Sequence, residues 1–426
     1  MTARDITVNF GKGIAMQGRT RSGWQVGSIF GIPLIIDSSW LFIVGLVTLA
    51  NGLAWQEEYS TWEAWQAWGA GFVMALLLFA SVLLHELGHS LVAKSQGTKV
   101  NSITLFLFGG IASIDSEAKT PGKAFWVAIA GPLVSLGLFG LLGGASRLIA
   151  QQTPWHVISN ELSHMNLVLA LFNLIPGLPL DGGQILKALI WKVTGNRFKG
   201  VHWAARMGQA LGLLAIVLGM SATLMGQAGG IWIALLGWFG LRSASSYDRF
   251  TDLQEGLLKL QAKDAMTRDF RVVDAEQSVR AFADSYVVEA NHAPAYFAAS
   301  GGRYRGLVNI DDLNTLERSE WEQRRVREIA RSFADIPTVR ETTSLPEVIQ
   351  RLEQEQIPFI TVLSPADAVS GIVDRGDIVR AVGAQMNLQI PSEDILRIKQ
   401  EGAFPASFQL QAIAKAVLPD PNTKSP

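Results

Sequence analysis

The chain has 426 residues, 36 Lys and Arg against 37 Asp and Glu, a hydrophobic share of 49% and no cysteine. The lack of cysteine excludes disulfides, thiol nucleophiles and Cys-ligated zinc. The near-neutral charge offers no basic face for nucleic acid, and the length indicates more than one domain.

The two parts of the chain differ sharply in charge. Residues 1–250 hold 16 Lys and Arg with 11 Asp and Glu, whereas residues 251–426 hold 20 and 26; twelve of the 13 tryptophans lie in the first part. The first part carries too few charges for a soluble domain, and its tryptophans are typical of membrane interfaces. We therefore predict a membrane domain over 1–250, a soluble module over 251–386 and a C-terminal tail over 387–426.

Uncharged stretches long enough to cross a hydrocarbon core of about 30 Å occur about six times. With some flanking residues, the predicted spans are Ser38–Asn51, Gln66–Leu84, Ala124–Ser146, Leu162–Leu180, Met207–Gly230 and Ile231–Leu241. Lys and Arg are concentrated in alternate connections, and such charges are retained on the cytoplasmic side. This bias predicts a multi-pass protein with both termini in the cytoplasm. The lack of a cleavable signal peptide and of cysteine suits a bacterial inner membrane.

Between the second and third spans, Val100–Phe108 and Ile111–Asp115 flank the dipeptide Gly109-Gly110, which indicates a hairpin with a two-residue turn. A hairpin this apolar should be partly in the membrane and buried against protein, so that its backbone groups find partners. Two glycine pairs with GxxxG spacing, Gly140 with Gly144 and Gly208 with Gly212, suit close helix packing in lipid. Chance spacing is an equally open explanation for them.

The strongest chemical signal is His85-Glu86-Leu87-Gly88-His89 at the end of the second span. On a helix the two histidines lie on one face and can hold one metal ion, while Glu86 can polarise a metal-bound water. Ionisable groups at membrane depth are costly and are usually functional. The alternative is a pair of hydrogen-bonded core histidines with Glu86 as their partner.

A catalytic zinc site needs a third protein ligand and one open position. The candidates for that ligand are His156, His164, His202, Asp115, Asp181 and Glu161. Asp181 is the most suitable because it follows an apolar segment, begins the flexible Asp-Gly-Gly sequence, and lies near the cytoplasmic end of its span like the histidines. The alternative for Asp181 is an Asx turn or the N-cap of a helix over Gly183–Lys192.

Together these residues resemble the site-2 protease family of intramembrane zinc metalloproteases over residues 25–245. The motifs that carry the resemblance are His85–His89, Phe108-Gly109-Gly110, Gly131-Pro132, the block from Asn173 through Pro176 and Pro179 to Asp181-Gly182, and the opening Gly31-Ile-Pro-Leu with Ser39-Trp40. The resemblance implies a multi-pass α-helical membrane domain that carries a membrane-associated β-hairpin.

The resemblance also implies the site and its chemistry. One zinc ion per chain would be held by His85, His89 and Asp181, with Glu86 as the base that activates the zinc-bound water. Asn173 would help to hold the substrate or the developing oxyanion. The expected partners are the lipid bilayer and membrane-spanning protein substrates, whose unwound segments the hairpin edge would bind by strand addition.

The soluble part contains an internal repeat with a strand–helix–strand–strand–helix pattern. The sequence from Gly306 to Asp312 matches that from Gly371 to Asp377, which places the copies at about 258–320 and 326–386. These repeats resemble a tandem pair of cystathionine-β-synthase-type (CBS) domains. That resemblance implies a soluble α/β module that regulates the attached enzyme and forms a homodimer.

In CBS domains an aspartate binds the ribose of adenine nucleotides, which corresponds to Asp312 and Asp377. The family usually has a hydroxyl residue three positions earlier, whereas this chain has Asn309 and Asp374. The alternative is a purely structural or dimerising module in which the aspartates are helix N-caps.

Two other functions remain open at this point. One is a CBS-gated membrane transporter or channel with His85, Glu86 and His89 along the ion path; the other is a catalytically inactive membrane-bound relative. A transporter has no need of the Asp181 block, so this block separates the protease from the transporter. The preferred function is therefore an intramembrane zinc endopeptidase.

Overall fold

The computed structural model describes residues 23–107, 109–115, 117–287, 294–386, 388–405 and 410–417. The basic N-terminal stretch, Phe108 of the predicted hairpin and the terminal Pro419–Pro426 segment therefore lie outside the described residues. Internal contacts divide the chain into two compact units between Thr251 and Asp252. The domain boundaries at 250 and 386 remain proposals.

The first unit is mainly helical. Its helices are α1 (Ser39–Glu58), α2 (Ala64–Ser95), α3 (Pro121–Ser146), α4 (Pro154–Asn173), α5 (Asp181–Thr194), α6 (Arg197–Leu224) and the greater part of α7 (Gly230–Lys259), which continues past Thr251. Thr120 and Thr153 cap α3 and α4 by accepting hydrogen bonds from backbone N–H groups, and a proline follows each threonine, as is favoured at helix N-termini. Helix α3 packs against α2, α4 and α5, so it lies centrally among the elements that carry the site.

Four of the helices described are long and apolar enough to cross a membrane: α1, α2, α3 and α6. The predicted fourth and sixth spans form helices but do not meet the same criteria. The fourth was also misplaced, because α4 runs from Pro154 to Asn173 rather than over 162–180 and includes the polar residues His156, Glu161 and His164. In α7 the apolar segment ends at Arg242. The multi-pass membrane character is confirmed, whereas a count of six spans is not.

A four-stranded sheet in the order β1-β2-β3-β4 packs beside α2. The strands are β1 (Trp24–Ile29), β2 (Ile32–Ile36), β3 (Val100–Phe106) and β4 (Gly109–Ile114). Strand β2 pairs with β3 in parallel, and β4 is an edge strand. Ile32 and Ile103 form a buried cluster with Leu87 of α2, so the sheet is held against the helix that carries the histidine motif.

The hairpin is present, but its turn is not where the sequence placed it. Phe106 pairs with Gly109 and Leu105 with Gly110, so the glycines belong to β4 and the strands are joined between Phe106 and Gly109. The shift has a packing reason, because a Cβ at Gly110 would lie 2.6 Å from Cγ of Glu86. Gly110 therefore lets the strand approach α2, and neither glycine forms the turn.

The two glycine pairs behave differently. A Cβ at Gly212 of α6 would lie 2.8 Å from the carbonyl oxygen of Gly237 in α7, and a Cβ at Gly208 would overlap the carbonyl oxygen of Leu178. Gly140 and Gly144 of α3 have no such neighbour within 4 Å. Close packing therefore explains only the second GxxxG pair.

We expect Gly212→Ala to lower the free energy of unfolding by about 1–3 kcal/mol, because the added methyl overpacks the contact between α6 and α7. The matched control is Gly140→Ala, which should be neutral or stabilising because alanine is favoured over glycine in helices. Thermal unfolding in detergent measures both. Equal stabilities of the two variants would contradict the close contact.

The second unit contains two similar three-stranded sheets. The first repeat has β5 (Arg271–Asp274), β6 (Tyr296–Ser300) and β7 (Arg303–Val308), and the second has β8 (Thr338–Arg340), β9 (Phe359–Leu363) and β10 (Val369–Asp374). In each repeat the first strand pairs in parallel with the second, which pairs antiparallel with the third. The predicted repeat is therefore confirmed in the order of its strands, and the two copies also share the same strand directions.

The helices of this unit complete the repeats and cover the second of them. They are α8 (Ala262–Ala265), α9 (Val279–Phe282), α10 (Val326–Ile329), α11 (Leu345–Gln354), α12 (Arg375–Gln385), α13 (Ser392–Glu401) and α14 (Leu410–Val417). A 3-10 helix, Ile310–Thr315, takes the place in the first repeat that α12 has in the second. Helix α13 packs on α12, and α14 packs on α11.

The repeats are joined by reciprocal backbone bridges. Thr267, before the first strand of the first repeat, pairs with Ile372 in the last strand of the second, and Arg331, before the first strand of the second repeat, pairs with Leu307 in the last strand of the first. Each repeat therefore adds a residue to the sheet of the other. This exchange explains why the two copies form one compact module.

Candidate metal site

Helix α2 presents two histidines from one face. His85 and His89 are separated by four residues, which places their side chains on the same side of a helix, and both are buried, with 4% and 8% exposure. Buried imidazoles must have polar partners. Their Nε2 atoms lie 3.3 Å apart, so both rings point towards one position.

Asp181 reaches this position because the chain turns sharply after α4. Pro176 and Pro179 lie in the turn, and prolines interrupt helices because they lack an N–H group. Helix α5 then begins at Asp181 itself, two residues earlier than predicted. A Cβ at Gly182 would overlap the carbonyl oxygens of Leu174 and Ile175. The glycine therefore allows the first turn of α5 to lie against the preceding turn.

The carboxylate of Asp181 lies between the two imidazoles. Its Oδ2 atom is 3.1 Å from Nε2 of His85 and 3.3 Å from Nε2 of His89. The alternative of an N-cap at Asp181 does not hold, because Leu180 is the N-cap and the aspartate side chain contacts the histidines. The N-terminal end of α5 also favours a negative charge at this position.

The other candidate ligands are engaged elsewhere. His156 and His164 donate from Nδ1 to the carbonyl oxygens of Ser146 and Asn160, His202 pairs with Asp248, Asp115 lies near Asn101, and Glu161 accepts from Trp55. Among the described residues, His85, His89 and Asp181 form the one group of potential ligands whose donor atoms lie within 4.8 Å of one another.

The group fits a zinc ion by the chemistry of its donors. Two imidazole nitrogens and one carboxylate oxygen form a ligand set of the kind that catalytic zinc sites use, with one further position left for water or substrate. Space for the ion exists beside α3, because a Cβ at Gly131 would lie 2.6 Å from Nε2 of His85 and would also overlap His89. The absence of a side chain at this position keeps the imidazole tips accessible.

Glu86 lies beside this group and faces the edge strand. It is half-buried, and its Cγ atom approaches Gly110 of β4. Glu86 is not among the clustered ligand atoms, which leaves its carboxylate for another role. Asn173 is the last residue of α4 and is half-buried; its substrate role stays a prediction.

An ion cluster that the sequence did not reveal joins the segment after β4 to the helices that follow Asp181. Glu117 accepts from Lys187 of α5 at 3.3 Å and from Arg197 of α6 at 3.0 Å. Burial raises the pKa of Glu117, but the charges of Lys187 and Arg197 outweigh it and hold this pKa below its usual value. The sequence carries no signal for this cluster, because its members are far apart along the chain.

The two aspartates of the repeats are both paired with cations of the chain. Asp312 forms a bidentate pair with Arg331, at 2.9 and 2.5 Å. Asp377 is fully buried, and its Oδ1 atom accepts from Lys399 of α13 at 2.9 Å. The N-cap of α12 is Asp374 rather than Asp377. Asp377 is the third residue of the helix, and its side chain completes the capping box by accepting a hydrogen bond from the backbone N–H of Asp374.

Comparisons with known proteins identify the family of the chain. Residues 73–149 and 149–215 match peptidase family M50, and residues 326–384 match the CBS domain. "Putative zinc metalloprotease sll0528" of Synechocystis sp. is 41% identical over 362 residues, which cover 84% of this chain and 95% of the relative. "Putative zinc metalloprotease Rip3" of Mycobacterium tuberculosis is 34% identical over 365 residues, 85% of this chain and 91% of the relative.

Among solved structures, the site-2 protease from Methanocaldococcus jannaschii is 30% identical, with a TM-score of 0.40 over 53% of this chain and 95% of that chain. The relative from Synechocystis extends over the membrane part and the repeats alike. The similarity covers 95% of this metalloprotease relative and 84% of this chain. It therefore does not favour the transporter alternative. The chain therefore belongs to peptidase family M50, the site-2 protease family, and is a membrane zinc metalloprotease that carries CBS repeats.

Proposed function

We propose that this metalloprotease cuts transmembrane or membrane-proximal segments of other membrane proteins, with His85, His89 and Asp181 as zinc ligands and Glu86 as the base. The observation that carries the proposal is the contact of Asp181 with both histidines. Zinc at this site would polarise the scissile carbonyl and increase the acidity of water. Glu86 would accept a proton from the attacking water and later protonate the leaving amine.

The edge of β4 suits the binding of an extended substrate. Its outer side is unpaired within the described sheet, and Glu86 packs against it through Gly110. A spanning helix must unwind before cleavage because its own hydrogen bonds shield its peptide groups, and strand addition would supply new backbone partners. Asn173 would hold the substrate or the oxyanion. A substrate segment that pairs with this edge would therefore lie directly beside Glu86.

We propose that the chain lies in a bacterial inner membrane. The placement of charges supports an orientation in which both termini face the cytoplasm. Lys and Arg of the first unit are concentrated in alternate connections between the spans, and the positive-inside rule keeps these connections cytoplasmic. His85 and His89 lie in the last third of α2. In this orientation that end of α2 faces the cytoplasm, from which water would reach the site.

Comparison of membrane proteomes from cells that carry the wild-type chain or Glu86→Gln tests the substrate class. Full-length membrane-spanning substrates should accumulate in the variant, and their fragments should appear only with the wild type. The matched control is Asp115→Asn, which removes an exposed carboxylate just after β4. Identical sets of intact membrane proteins in all three strains would contradict cleavage of membrane-spanning substrates.

We further propose that the repeats regulate the protease by binding an adenine nucleotide at Asp312 and Asp377, and that they associate as a homodimer. In the second repeat the site is closed by the chain itself. Lys399 lies 2.8 Å from Asp374 and 2.9 Å from Asp377, and a Cβ at Gly376 would lie 2.7 Å from its Cγ. A ribose hydroxyl at Asp377 would have to displace this ammonium group.

Lys399→Met should therefore increase the affinity for ATP or AMP at Asp377 by roughly tenfold, because a hydrogen bond to a charged group contributes about 1.5–3 kcal/mol. Calorimetry on the full chain in detergent measures the change. Lys263→Met is a control within the same unit, and the double variant Lys399→Met with Asp377→Asn should lose the gain. Affinity that is independent of Lys399 and Asp377 would place any nucleotide elsewhere.

A further inference from the structure

One face of α3 carries three residues at four-residue intervals, and each of them meets the histidine pair. The carbonyl oxygen of Val127 lies 2.6 Å from Nδ1 of His89, and Oγ of Ser135 lies 2.9 Å from Nδ1 of His85. Between them, Gly131 has no side chain to occupy the space at the imidazole tips. Because α2 and α3 run antiparallel, the earlier histidine, His85, meets the later residue, Ser135, and His89 meets the earlier residue, Val127.

These contacts determine which ring nitrogens face Asp181. A carbonyl oxygen only accepts hydrogen bonds, so Nδ1 of His89 must donate, and in the neutral ring that can bind a metal the lone pair is then on Nε2. The hydroxyl of Ser135 can accept in the same way from His85. Both Nε2 atoms are directed at the aspartate, so each imidazole is presented through the same nitrogen.

We propose that Ser135 is a positioning residue of the metal site, which accepts the Nδ1–H of His85 and thereby fixes the orientation and tautomer of this ligand. The inference rests on the proposed roles of His85, His89 and Asp181. Its counterpart at His89 is a backbone carbonyl, which no side-chain substitution removes. Of the two α3 contacts with the Nδ1 atoms of the histidines, only the one from Ser135 can therefore be tested by mutation.

The burial of Ser135 supports a specific role. The residue has 0% exposure in a helix whose other polar side chains, Lys123 and Ser146, lie near its two ends, and a buried hydroxyl is costly unless it is hydrogen-bonded. A small apolar residue would pack between the helices equally well. Hydrogen-bond partners of metal-bound histidines typically change metal affinity by about 10–100-fold when they are removed.

Ser135→Ala should therefore weaken zinc binding by about 10–100-fold, measured by competition with a chelator on the full chain in detergent. The matched control is Ser163→Ala, which removes another buried serine whose hydroxyl donates to the carbonyl oxygen of Phe139 at 2.8 Å. Ser163→Ala should retain wild-type zinc affinity. Ser135→Thr keeps the hydroxyl and should recover most of the loss.

The visible spectrum of the cobalt-substituted protein gives a second measurement. Ser135→Ala should change the ligand-field bands, because the ring of His85 is no longer fixed, whereas Ser163→Ala should not. A zinc affinity and a cobalt spectrum unchanged in Ser135→Ala would overturn the positioning role alone. Failure of the wild-type chain to bind zinc would instead overturn the ligand assignment on which the role rests.

Discussion

Glu86→Gln should lower kcat for peptide cleavage by about 10²–10⁴-fold, the range that general acid–base catalysis contributes, while zinc stays bound in a one-to-one ratio. The amide has the size of the carboxylate but cannot accept a proton from water at neutral pH. Glu86 is outside the group formed by His85, His89 and Asp181, so the metal ligands are unchanged. Single-turnover cleavage of a spanning peptide in liposomes, with metal analysis of the same protein, measures both quantities.

The most informative control replaces a carboxylate that the site does not use. Glu161 of α4 accepts a hydrogen bond from Trp55, so Glu161→Gln tests the loss of a polar contact in the membrane domain. It should keep kcat near the wild-type value. Cleavage that survives in Glu86→Gln would remove this residue as the base, and zinc loss in that variant would mean that its carboxylate contributes to the metal site.

Asp181→Ala should reduce zinc affinity by more than about 100-fold, which exceeds the usual effect of residues that only support a ligand, and should abolish cleavage. The carboxylate oxygen lies within 3.3 Å of both imidazole nitrogens. Without it, two histidines from a single helix remain, which is fewer protein ligands than catalytic zinc sites have. Chelator competition and the cleavage assay measure the two losses separately.

Two controls separate coordination from folding. Asp181→Asn keeps the shape of the side chain but not its charge and should also bind zinc weakly, whereas Asp115→Asn removes an exposed carboxylate and should have no effect. Thermal unfolding in detergent reports whether the fold is retained. Tight stoichiometric zinc in Asp181→Ala would rule out the carboxylate as a ligand and leave the histidine pair with a different partner.

Local pattern was sufficient where the chemistry depends on neighbouring residues. The four-residue spacing of His85 and His89 already places them on one helical face. The repeat over Asp312 and Asp377 correctly indicated two copies of one fold, because strand order follows from alternating apolar segments and turns. The hairpin was found, but its turn was misplaced by two residues, since Gly109 and Gly110 belong to β4 and Gly110 lies against Glu86.

Membrane spans were less predictable than the motif. Lack of charge alone identified α1, α2, α3 and α6, yet α4 begins eight residues before its predicted start and ends at Asn173. The turn at Pro176 and Pro179 was included in that span because its residues are apolar. Hydropathy reports how well a segment tolerates lipid, but it does not report where the backbone leaves the helix.

By itself the sequence predicted a metal-binding role for His85 and His89 with Glu86 as the base, and it made Asp181 the preferred third ligand. Only the tertiary structure decided that Asp181 lies between both imidazoles, that α3 engages them through Val127 and Ser135, and that Lys399 covers Asp377. The physical reason is range: helical spacing is a property of adjacent turns, whereas these contacts join residues distant in the chain that helix packing alone brings together.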